Sequence, residues 1–100
     1  MSHYARRVDS THTEVGTVLR SLGFSTIDTH KAGDGFPDWV AGKNRVTLLV
    51  EVVGSDHHPH TIREHEERRL GWKGGIWLVV LNGNDLLNQL QQLGLLEVQG

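Results

Sequence analysis

Asp38 and Glu51 are the two residues of this chain whose types and spacing are best suited to chemistry. Asp38 follows proline in the segment GDGFPDWV, and Glu51 interrupts the apolar run VTLLVEVV, residues 46–53, near its end. A short run rich in β-branched residues reads as a central strand buried on both faces. A glutamate there needs a partner, a raised pKa or a metal ion, because desolvating a carboxylate costs on the order of several kcal/mol. A strand over 38–41 and a turn at 42–44 would fold Asp38 back toward Glu51. With Ala41 paired to Val46 across a four-residue turn, Asp38 stands opposite Leu49 and diagonal to Glu51 on one face. Diagonal Cβ atoms lie roughly 7–8 Å or less apart, within reach of a shared divalent cation. A one-residue slip would separate the carboxylates onto opposite faces. The competing reading makes Asp38 a turn residue after proline and Glu51 a strand-end charge.

Pro37-Asp38, a spacer ending in a hydrophobic strand, and Glu51-Val52-Val53 resemble the motif of the PD-(D/E)XK nuclease superfamily. The likeness is nearer to its small stand-alone members of the VRR-NUC and phage resolvase type, and it follows their order of elements over residues 9–93. The family's lysine falls at Val53, which carries no charge. The resemblance implies an α/β, restriction-endonuclease-like fold: a mixed sheet of about four strands flanked by helices, in the order α-β-β-β-α-β-α. It implies a DNA endonuclease dependent on Mg2+ or Mn2+, acting on structured or duplex DNA, as a homodimer. Asp38, Glu51 and the Val52 carbonyl would hold the metal, with Glu14 completing or supporting the shell. His65 falls where the family usually carries glutamine, and Lys31, Gly33, Gly35 and Arg63 would meet nucleic acid. Lys31, Lys73 or His65 would have to supply the missing cation. Two rival readings stand beside this one: a DNA-binding module on a nuclease fold that has lost its chemistry, and an interaction domain with no nucleic-acid role.

Composition sets the bounds. One hundred residues make one small domain with a single modest core. The lack of cysteine excludes disulfides and thiolate metal sites and fits a reducing cytoplasm. No run approaches the roughly 18 apolar residues of a membrane span, and no apolar signal core is present at the N-terminus. A formal net charge of −2 gives no overall basic footprint for nucleic acid.

The elements that must position the carboxylates can be read in order. Residues 1–8 read as a loose arm, followed by a helix over 11–22 with Val15, Val18, Leu19 and Leu22 on one face and Gly23 as its stop. Glu14 has two readings there: the far end of a capping box begun by Thr11, or an acid on the buried side that reaches the metal site. A strand over 24–29 leads into a loop over 30–36, where Gly33 and Gly35 allow positive φ. The cluster SDHHPH over 55–60 invites a zinc reading through His57, His58 and His60, against a polar loop. A helix over 61–72 carries Glu64 and Arg68 on a solvated face and Ile62, His65, Arg69 and Trp72 inward. A buried strand over 76–81 and a helix over 85–93, capped by Asn84 or Asp85, complete the domain. Leu86, Leu87, Leu90 and Leu93 of that helix face inward. The tail over 94–100 offers an edge strand or a dimer contact.

Overall fold

Helix α1 spans His3–Ser21. The expected arm over 1–8 is therefore replaced by helix from His3 onward. Tyr-Ala-Arg-Arg-Val carries no glycine or proline, so nothing ends the helix before Ser10 and Thr11, which resemble caps but lie inside it. The Thr11–Glu14 capping box does not form for the same reason: both residues are interior. Gly23 ends α1 as expected, at φ 93°. The Phe24 N–H donates to the Leu19 carbonyl and the Gly23 N–H to the Arg20 carbonyl, the paired bonds of a Schellman cap. Lys43 Nζ donates to the Leu22 carbonyl at 2.7 Å, adding a cation at the negative end of the helix. The computed structural model describes the backbone of residues 3–33, 35–53 and 59–96, and the side chains of 10–33, 35–53 and 63–96.

Four strands follow: β1 (Ser25–Asp28), β2 (Trp39–Lys43), β3 (Val46–Val52) and β4 (Ile76–Val80). They lie in sequence order, β1-β2-β3-β4, antiparallel across the first two junctions and parallel across the last. A parallel pair needs a crossover, and helix α2 (Pro59–Gly71) supplies it. Helix α3 (Gly83–Gln92) closes the chain. The fold is thus α/β, a mixed four-stranded sheet flanked by three helices.

The β2–β3 turn differs from expectation in a way that leaves the faces intact. Lys43 pairs with Val46, so the loop is the two-residue step Asn44-Arg45 rather than a four-residue turn. Both residues take positive φ, 51° and 70°, the mirror-image turn whose twist matches that of paired strands. Ala41 faces Leu48 instead of Val46, a shift of two residues that preserves the alternation of side chains.

Trp39, Ala41, Leu48, Val50, Leu78 and Val80 point to one face and join Val15 and Leu19 of α1 and Leu86 and Leu90 of α3 in the main core. Gly16 allows this packing: a Cβ there would fall 2.3 Å from Trp39 Cζ2. On the other face Val53, Trp77 and Val79, with Leu49, form a much smaller cluster. Helix α2 packs on that side, against β4. Its expected inward stripe is only partly right. His65 does face the sheet, but Trp72 is exposed, and Arg69 binds Glu66 at 2.8 Å. Arg68, expected on the solvated face with Glu64, instead lies over the Trp77 ring, 5.8 Å from its centroid. The face of a buried indole attracts a cation through its ring electrons.

Helix α3 starts earlier than expected, because Asn82 is its cap and accepts the Asp85 N–H at 2.8 Å. Leu86 and Leu90 are buried, Leu87 is partly buried and Leu93 is half exposed. Leu95 and Leu96 pack against the main core, with no strand among the described residues of the tail. Residues 97–100, and His57 and His58 with the rest of 54–58, lie outside the described residues, as does the His60 side chain.

Candidate metal centre

Asp38 stands one residue before β2, where the two faces of the sheet can both be reached. Its backbone N–H donates to the Val50 carbonyl at 2.9 Å, although Trp39 is the residue paired with Val50. Two residues of one strand therefore answer to one of the next, the geometry of a bulge, which re-aims a side chain at a strand end. The Asp38 carboxylate turns onto β3: Oδ2 accepts the Val52 N–H at 2.7 Å. Its Oδ1 lies 3.3 Å from His30 Nδ1. Around it, Thr29 donates its hydroxyl to the Pro37 carbonyl at 2.6 Å and its N–H to the Asp38 carbonyl at 3.0 Å. These bonds fix the Pro-Asp step against the end of β1.

Glu51 lies on the face with Leu49 and Val53, beneath α2, and is the buried charged residue among those described. Its Oε1 is buried and has no hydrogen-bond partner among the described residues. His65 Nδ1, from α2, is 3.9 Å away, too far for a hydrogen bond. Burial first, and then the charge of Asp38, push the Glu51 carboxyl up to about 7, against the opposing pull of Arg68. Arg68 is held over the site by Trp77 and by a weak 3.5 Å bond from Nη1 to the Gly35 carbonyl.

On the other side of Asp38 the structure gathers residues that sequence reasoning did not single out. His12 of α1 stacks on Trp39, with centroids 4.6 Å apart and planes 17° from parallel. Trp39 Nε1 donates to the His12 carbonyl at 3.1 Å. The His12 and His30 rings lie 4.8 Å apart. His12 Nε2 sits 3.0 Å from Asp28 Oδ1, which also accepts the His30 N–H at 3.0 Å. Burial pulls the Asp28 carboxyl up, but the His30 N–H and the two imidazoles outweigh it and hold Asp28 below the usual carboxylate range. Nothing in the spacing of His12, His30 and Asp38 announces the group. Each comes from a different segment, and only the stop at Gly23 and the antiparallel pairing of β1 with β2 bring them together.

The remaining expected site residues separate. Glu14 Oε2 accepts the Gly83 N–H at 2.7 Å, so this acid serves the N-terminus of α3 rather than the group around Asp38. Val53 is buried with Trp77 and Val79. Gly33 and Gly35 take positive φ, 70° and 78°, as expected for the approach to Pro37. Lys31 lies in a short 3-10 helix, His30–Ala32, and is exposed, as are Arg63 and Lys73. No helix of the described residues is long and apolar enough to cross a membrane. No protein-family profile, no curated protein and no solved structure matches the chain.

Proposed function

We propose that the chain is a metal-dependent DNA endonuclease whose centre is Asp38 and Glu51. The observation that supports this most is the buried Glu51 Oε1, without a donor and close enough to Asp38 to be repelled by it. Two acceptor-only carboxylates so placed suit a hard divalent cation with oxygen ligands. Asp38, Glu51 and the Val52 carbonyl are the groups that would hold Mg2+ or Mn2+. The ion, when bound, supplies Lewis-acid activation of water and neutralises charge on a phosphodiester.

The chain's own residues would do the rest. The Val52 N–H fixes one oxygen of Asp38, so its free lone pairs keep one direction. His65 lies over Glu51 from α2, on the side from which a proton can be passed. Arg68 places a fixed guanidinium on the same face, where it can offset charge gained by a phosphate. It is a better-placed substitute for the lysine replaced by Val53 than the exposed Lys31 or Lys73. DNA would meet the loop carrying Lys31, Gly33 and Gly35 and the outer side of α2 at Arg63, and two copies of so small a chain would pair to cut both strands.

Incubation of duplex, flap and four-way-junction DNA with Mg2+ and with Mn2+ tests this reading. Cleavage should require the metal and fall about 100-fold or more in Glu51→Gln and in Asp38→Asn. A second reading, a DNA-binding module without chemistry, draws on the apolar surroundings of Val53. It predicts no cleavage, with binding that weakens steeply as salt rises. Absence of both cleavage and salt-dependent binding would refute the nucleic-acid reading altogether.

A further inference from the structure

We propose that His12, His30 and Asp38 form a second cation site, for a zinc-type divalent transition metal, beside the carboxylate pair. One ligand atom from each residue lies within 4.8 Å of the other two, the spacing that a single ion can bridge. Two imidazoles and one carboxylate are a donor set for zinc, cobalt or nickel rather than for magnesium, because neutral imidazole favours softer ions. Three protein ligands leave a tetrahedral ion one open position.

The surroundings of the three residues are those a bound metal requires. His12 is held flat by the Trp39 stack and by the Trp39 Nε1 bond to its own carbonyl. Asp28, 3.0 Å from His12 Nε2, is a carboxylate positioned to fix an imidazole tautomer. Both His12 ring nitrogens are buried with no hydrogen bond among the described residues, although Nε2 lies 3.0 Å from Asp28 Oδ1. A proton on Nε2, toward Asp28, would leave the lone pair on Nδ1 for an ion. His30 is anchored by its backbone bond to Asp28 while its Nδ1 faces Asp38. Four groups from four segments of the chain thus converge with acceptor atoms in excess of donors.

This site does not rest on the hydrolytic reading, although Asp38 belongs to both. The test is binding of Co2+ alone to the full chain at pH 7.5, followed by its visible absorption and by displacement with Zn2+. His57, His58 and His60 are all changed to alanine first, since they offer imidazoles of their own. In that background Co2+ should bind, and His30→Gln and His12→Gln should each weaken it about tenfold or more. His30 is half exposed, so His30→Gln keeps the fold and the result stands even if His12→Gln does not fold. Glu51→Gln should leave Co2+ affinity within about threefold while abolishing magnesium-dependent cleavage, which separates the two sites. Cobalt binding that is indifferent to His30→Gln and His12→Gln, or that vanishes when residues 57, 58 and 60 are replaced, would overturn the proposal.

Discussion

Glu51→Gln should make the protein more stable at alkaline pH and change little at acid pH. An ordinary glutamate titrates at 4.5 and Glu51 at about 7, raised by burial and by Asp38. At about 1.4 kcal/mol per pH unit, that difference corresponds to about 3 kcal/mol. The sign follows from which state holds the proton. The folded chain keeps the Glu51 proton to higher pH than the unfolded chain does, so stability is fully present below pH 4.5 and is lost as pH rises through 7. Glutamine never ionises, and its amide can donate toward Asp38, so the loss disappears in the variant. Urea unfolding followed by tryptophan fluorescence, from pH 5 to 8.5, reads the difference between the two proteins and cancels the titration of the histidines. The gap should open from near zero to about 2–3 kcal/mol across that range. Magnesium at ten times its dissociation constant should recover about 1.4 kcal/mol in the parent at pH 8 and nothing in the variant. A gap of the same size at pH 5 and pH 8.5 would show that Glu51 is not a strained buried acid, and the reasoning for a cation beside it would fail with it.

Three further substitutions probe separate parts of the structure. Val53→Lys places an ammonium on the Glu51 face among Trp77 and Val79. It should raise metal-dependent DNA cleavage about 100-fold, read by nicking assay, while a loss of fold by circular dichroism would show that the pocket cannot take it. Glu14→Gln weakens the anion at Gly83 N–H and should cost about 1 kcal/mol in urea unfolding with metal affinity unchanged; a fall in affinity would bring Glu14 back to the metal. Gly16→Ala drives a methyl into the Trp39 ring and should cost about 1–3 kcal/mol and shift tryptophan emission, since the ring must leave its stack on His12.

What the sequence revealed depended on how local the cause was. Alternation along 46–53 fixed which face Glu51 occupies, and an even shift in pairing left that conclusion standing although the turn was shorter than expected. The Schellman stop at Gly23 and the positive φ at Gly33 and Gly35 were legible because glycine alone takes such angles easily. The start of α1 was not, since Ser10 and Thr11 look the same inside a helix as before one. Arg68 eludes a local reading because charge spacing on α2 suggests Glu64 as its partner, whereas Trp77, in the strand that follows, supplies a better one. The group of His12, His30 and Asp38 had no spacing to betray it. The hint available was a histidine on the apolar side of a helix, near Val15 and Leu19, where a polar ring needs a reason to be.

The apolar core is divided unequally by the sheet, and this has a consequence for how the carboxylates meet the solvent. One face carries the interlocked side chains of α1, α3 and three strands; the other carries Val53, Trp77, Val79 and Leu49. The face under α2 thus buries a smaller apolar cluster than the face under α1 and α3. Such a molecule opens in parts, and its backbone amides exchange hydrogen fastest in the part with least to lose. Exchange should therefore be faster in α2, where Leu70 already lies in water, than in α1 or α3. Lifting of α2 would uncover Glu51 and leave the β2–β3 pairing next to Asp38 in place.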